Sequence, residues 1–134
     1  MVMFNQHNQQ TARPNGTFVV IFELEVEEGK SDEYLEIAQA LKAELSHIEG
    51  FISIERFRSL TSPNKMLSLS SWESEAAIQN WRNKQSHRAG QQKGREEVFA
   101  QYRLRVAHVM RDYGMFEREQ APDDSRVAFD CEEA

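Results

Sequence analysis

The class this sequence predicts is α+β, with a four-stranded antiparallel sheet carrying helices on one face. Apolar residues alternate with a period of two in four stretches. A helical period fills the gaps after the first and third stretches, and Gly, Pro and Ser punctuate the joins. The resulting order is strand, helix, strand, strand, helices, strand, the split βαβ arrangement of the ferredoxin-like fold.

In chain order, Met1 to Gly16 is rich in Asn and Gln, lacks periodicity and holds Pro14 and Gly16, which reads as a polar arm. Thr17 to Val26 is the clearest strand, with Phe18, Val20, Phe22, Leu24 and Val26 on one face and Val19, Ile21, Glu23 and Glu25 on the other. A turn at Gly29 leads to Ser31, expected to cap a helix through about His47 whose buried stripe is Tyr34, Ile37, Ala38, Leu41 and Leu45. Gly50 closes that segment. Phe51 to Phe57 is the second strand, Pro63 marks a turn, and Lys65 to Trp72 is the third strand. Ser74 caps a helix that places Ala77, Ile78 and Trp81 on one face, and Ser86 is expected to start another helix carrying His87. Val98 to Tyr102 leads into a fourth strand, Arg103 to Tyr113. Leu104, Val106, His108 and Met110 lie on one face of it, and Arg103, Arg105, Ala107, Val109 and Arg111 on the other. The expected organisation is an arm at 1–16, a folded domain at 17–116 and an acidic tail at 117–134 containing one apolar island, Val127-Ala128-Phe129.

Composition narrows the function. A chain of 134 residues suits one domain, and 40% hydrophobic with 28% charged residues is ordinary for a globular protein. No apolar run approaches the roughly 20 residues that span a bilayer, so no membrane role is expected. The opening MVMFNQHNQQ lacks the basic and apolar regions of a secretory signal. A single cysteine, Cys131, fits a reduced, cytoplasmic setting. Of the net charge of −6, −5 falls between Glu117 and Ala134. The nearly neutral remainder offers no basic footprint for phosphate backbones, which excludes nucleic acid as a partner.

An antiparallel sheet with helices on one side should present one wet face. The first and fourth strands instead offer Val19, Ile21, Ala107 and Val109 there, and an apolar patch on a bare sheet marks an interface. A homodimer packed sheet to sheet is the expectation. In this order the first and fourth strands are neighbours, so Glu23 and Glu25 should meet Arg103 and Arg105 on the bare face.

Four phrases, FELEVEEGK, IEGFISIERF, LSLSSWESEAAIQNW and the following SHR, resemble the antibiotic biosynthesis monooxygenase superfamily over roughly Phe18 to Tyr113. The resemblance implies a dimeric ferredoxin-like α+β barrel whose ligand cavity lies between the helices and the sheet of each subunit. It also implies one of several activities, on quinols, on polyketides or on heme. Heme-degrading members pair a Trp after the third strand with an Asn on the first strand and a His about ten residues beyond the Trp. Trp81 matches, but the first strand has no Asn and Gln91 stands at the His position. Members acting on polyketide quinones carry Asn, Trp, Tyr and Arg. Trp81 matches again, Ala77 stands where Asn would be and His87 where Tyr would be, and Arg103 and Arg105 point away from the helices by strand phase.

Oxidation without a metal or flavin needs a substrate anion that can give an electron to dioxygen, and a histidine titrating near neutral pH is suited to forming that anion. The expected catalytic residues are therefore His87 and Trp81, with Phe22 and His108 binding substrate and neither a metal nor a cofactor. The expected function is a cofactor-independent monooxygenase using dioxygen on a small aromatic, phenolic or quinol ligand. The alternatives are a non-catalytic ligand-binding or stress-response module on the same fold, and heme binding through His87 or His108. Trp81 as plain core and the two histidines as surface groups are the structural readings set against these roles.

Overall fold

The structure, a computed structural model, describes residues 17–84, 88–89, 92–93 and 97–129. Four strands, β1 (Phe18–Val26), β2 (Phe51–Arg58), β3 (Lys65–Trp72) and β4 (Phe99–His108), form one sheet in the order β2-β3-β1-β4 with every neighbouring pair antiparallel. Helix α1 (Ser31–Leu45) follows β1 and helix α2 (Glu75–Arg82) follows β3, both on the same face. This is the ferredoxin-like α+β arrangement that the sequence predicts. The strands form one compact unit, residues 17–108. Among the described residues no helix is long and apolar enough to cross a membrane.

Strand register follows the alternation. Phe18, Val20, Phe22 and Leu24 of β1 sit opposite Trp72, Ser70, Ser68 and Met66 of β3 on one side and His108, Val106, Leu104 and Tyr102 of β4 on the other. The fourth strand spans Phe99–His108, not Arg103 to Tyr113 as expected. The cause is its only neighbour: β4 is an edge strand whose ladder ends where β1 begins, at the Phe18–His108 pair. Beyond it, Val109 and Met110 have the right alternation, and among the described residues no strand continues beside them.

The first helix corrects a second expectation. Lys30, not Ser31, occupies the cap position, and Ser31 Oγ is buried without a hydrogen-bond partner. Asp32 and Glu33 in the first turn still complement the dipole, and Glu33 meets Lys30 at 3.3 Å. The helix ends at Leu45, two residues short of His47. Ser74 does cap α2, accepting from the Ala77 amide at 3.1 Å. Gly50 is required twice over at the turn into β2. Its φ is +91°, and a Cβ there would lie 2.6 Å from the Ala77 Cβ.

The core is divided. Leu24, Val26, Tyr34, Ala38, Met66 and Val98 form one buried cluster. Leu45, Trp72, Ala77, Ile78 and Trp81 form another, with Phe51 packing its ring edge on Trp72 at 5.3 Å. Residues 109–129 belong to a separate compact unit. There the Gly114 turn is closed by Glu117, the Arg118 guanidinium covers the Tyr113 ring at 5.4 Å, and helix α3 (Asp123–Phe129) ends on the exposed Val127 and Phe129.

Candidate active site

Between the two core clusters lies a cavity of about 180 Å³, roofed by α1 and α2 and floored by the sheet. For scale, an engineered apolar cavity of roughly 150 Å³ accepts benzene. The hollow has a local cause in the sequence. The helix-facing register of β3 reads Met66, Ser68, Ser70, Trp72, so two serines stand in the middle of the sheet where core side chains would fill space. Both serines are buried, and the Trp72 indole Nε1–H donates to Ser70 Oγ at 2.9 Å. Small residues under the helices thus leave room, and the Ser70 hydroxyl is held there by the indole.

Aromatic rings supply much of the wall: Phe22, Tyr34, Trp72, Trp81 and Phe99 all line it. Phe22 and Phe99 are fixed edge to face at 5.8 Å. Leu104 and Val106 of the edge strand line the cavity and are also 47% and 42% exposed, so it reaches solvent beside β4. The polar groups are Tyr34, Arg56, Ser68, Ser70 and Arg82. Burial pushes the Tyr34 phenol above its usual 10.0, and the neighbouring Arg56 guanidinium pulls against that shift. The phenol therefore stays protonated through neutral pH, with its oxygen accepting from Arg56. The stability linked to it is fully present below 10.0 and is lost as pH rises through the raised folded-state value.

Of the residues singled out from sequence, Phe22 and Trp81 border this cavity together. His108 does not. It stacks on Phe18 at 4.7 Å and 13° at the far end of β4, exposed to solvent. His87 lies outside the described residues. Tyr34, Arg56, Ser68, Ser70 and Trp72 were not marked by sequence reasoning as site residues. Arg103 and Arg105 face the bare side of the sheet. Arg105 meets Glu23 at 3.0 Å, Glu25 accepts from Gln101 at 2.6 Å, and register opposite Glu23 puts Arg103 on the same bare face, outside the cavity. Among the described residues, no three His, Cys, Asp or Glu side chains converge as ligands for a metal ion.

A split βαβ domain with an aromatic-walled cavity between helices and sheet places the chain among small ferredoxin-like α+β proteins. Within that class, residues 17–93 match the model of the antibiotic biosynthesis monooxygenase family, and the chain belongs to that family. Among curated relatives it is similar to a jasmonate monooxygenase of Pyricularia oryzae, 44% identical over 92 residues. That match covers 69% of this chain and 43% of the relative, so the chain spans less than half of that protein's length. It is also similar to the uncharacterized protein YqjZ of Bacillus subtilis, 32% identical over 58% of this chain and 67% of that one. Among solved structures, the fold matches SnoaB, a cofactor-independent oxygenase from Streptomyces nogalater. The TM-score is 0.65 at 12% identity, over 76% of this chain and 99% of that one. A protein of Shewanella oneidensis matches with a TM-score of 0.66 at 16% identity, over 72% and 93% of the two chains.

Proposed function

We propose that this protein is a cofactor-independent monooxygenase that oxidises a small ring compound of the aromatic, phenolic or quinol type with dioxygen. The observation that carries the proposal is the aromatic-walled cavity beneath α1 and α2, in a chain of this family. A planar ring fits between Phe22 and Trp81, which hold it by stacking and exclude water. His87 is the proposed base. Tyr34, held protonated, is not the base; its oxygen accepts from Arg56 and its O–H is left to donate to the ligand. At a ring-activated methylene, proton loss gives an anion that passes one electron to dioxygen. The two radicals join through a C–O bond, and loss of water from the hydroperoxide leaves a carbonyl. One oxygen atom enters the product and the other leaves as water, so the substrate supplies all four electrons.

The bare sheet face supports a homodimer as the working unit. Val19, Ile21, Phe57, Leu67, Leu69 and Ala107 share that face, and contiguous apolar side chains on an uncovered sheet mark an interaction surface.

The test is oxygen uptake with hydroquinones, anthrone-like phenols and jasmonic acid, the last chosen because of the Pyricularia relative. Uptake with at least one of them, and one labelled oxygen atom in the product, is the expected result. His87→Gln should lower turnover by roughly 10²-fold with the fold intact. Saturable binding with no oxygen uptake across the panel would instead favour a non-catalytic binding module.

A further inference from the structure

The cavity wall carries two cations, Arg56 and Arg82, and among its described lining residues no Asp or Glu. Arg82 is exposed at the end of α2. Arg56 is different. It projects from β2 on the helix-facing side, in register with Ser68 and beside the Tyr34 phenol, and it is half-buried. Its Nε–H is buried with no acceptor.

Two other arginines of the sheet have partners. Arg58, two residues further on the same strand, donates to the Pro63 carbonyl at 2.9 Å, and Arg105 meets Glu23 at 3.0 Å. A guanidinium stays charged at any physiological pH, so an apolar cavity cannot neutralise Arg56 by taking its proton. Leaving such a charge without a counter-ion is costly, and an arginine kept only for packing would end on a carboxylate or a carbonyl. What surrounds Arg56 among the described residues is the reverse: the Tyr34 phenol, whose oxygen accepts a hydrogen bond from Arg56, and the Ser68 hydroxyl in register with it, both neutral. The corner lacks an anionic acceptor, and the Nε–H has no acceptor at all.

We propose that this corner receives the carboxylate of the ligand, with Arg56 as the anchor, Tyr34 as a second donor, and the ligand's ring lying toward Phe22 and Trp81. A planar carboxylate matches the guanidinium fork, and a charge-assisted contact of this kind discriminates strongly against a neutral ester of the same shape. Arg56 thereby sets specificity for ring compounds with an anionic arm. The proposal rests on the cavity being the substrate site and names the chemical class that enters it.

The chain has two tryptophans, Trp72 and Trp81, and both line the cavity, so intrinsic fluorescence reports on this site alone. The probes are 4-phenylbutyrate and its methyl ester, titrated without any reaction. The wild-type protein should bind the acid roughly 10- to 100-fold more tightly than the ester. Arg56→Gln should abolish that preference while changing ester affinity by less than about 2-fold, and Arg56→Lys should restore part of it. Arg82→Gln should leave most of the preference in place. The wild-type ratio is decisive by itself if Arg56→Gln does not fold. Equal or tighter binding of the ester, no saturable binding of the acid, or an equal loss for acid and ester in Arg56→Gln would overturn the proposal. Because binding is read without turnover, loss of the preference leaves the oxygenase reading standing. Absence of oxygen uptake, conversely, leaves the preference standing.

Discussion

On β3 the helix-facing side carries Ser68 and Ser70, whereas the bare side carries Leu67 and Leu69. In a sheet with one covered face the opposite distribution is the rule. The difference separates two ways of using a sheet face. Beneath the helices, Trp72 and Met66 bracket a deliberate gap, and the serines keep it open. On the bare side, the leucines join Val19, Ile21 and Phe57 in the surface proposed above to meet a second copy of the chain. Apolar side chains are placed on both sides, but the covered side surrenders packing for a cavity.

The largest expected effect contrasts these faces directly. Trp72→Ala removes a side chain only 2% exposed, its edge contact with Phe51 and the donor to Ser70. It should cost about 3–5 kcal/mol, independent of protein concentration. Leu69→Glu on the bare face should instead lower stability in a concentration-dependent way and shift the species seen by light scattering from dimer to monomer. A concentration-independent loss in Leu69→Glu, with a monomeric wild type, would break the comparison on its outer side.

A smaller effect sharpens the same contrast. Glu23 and Arg105 pair on the bare face with side chains 33% and 53% exposed. A double-mutant cycle with Glu23→Gln and Arg105→Gln should give a coupling of about 0.2–1 kcal/mol that fades with added salt. A value well above that range would mean that a partner subunit encloses the pair. These residues set register, since a one-residue slip would turn charge toward the core.

Much of this was legible in the sequence. The element order, the buried stripe of α1, the Ser74 cap and the outward arginines of β4 follow from periodicity and capping chemistry, and Phe22 and Trp81 were placed on the cavity side by the same rules. Arg56 was hidden by a bulge. The β2–β3 register shifts between Phe51 and Ser53. Counting by twos from the inward Phe51 therefore puts Ser53, Glu55 and Phe57 inside and Arg56 outside. The bulge reverses that phase, and nothing in FISIERF announces it. The serines of β3 were not assignable for another reason: alternation marks two faces and leaves open which one the helices cover. The end of β4 depended on the length of β1, a tertiary fact that local alternation in Arg103 to Tyr113 does not carry.

The most direct test of the account fills the gap. Ser68→Val adds apolar volume to the cavity floor beside Arg56 without touching the Trp72–Ser70 hydrogen bond. If the cavity is the functional site, thermal stability should hold or rise slightly, since apolar volume is added at a buried position. Oxygen uptake with the best wild-type substrate should fall at least roughly 10-fold, through loss of binding. Unchanged uptake in a well-folded Ser68→Val protein would contradict the assignment of this cavity as the place where the ligand reacts.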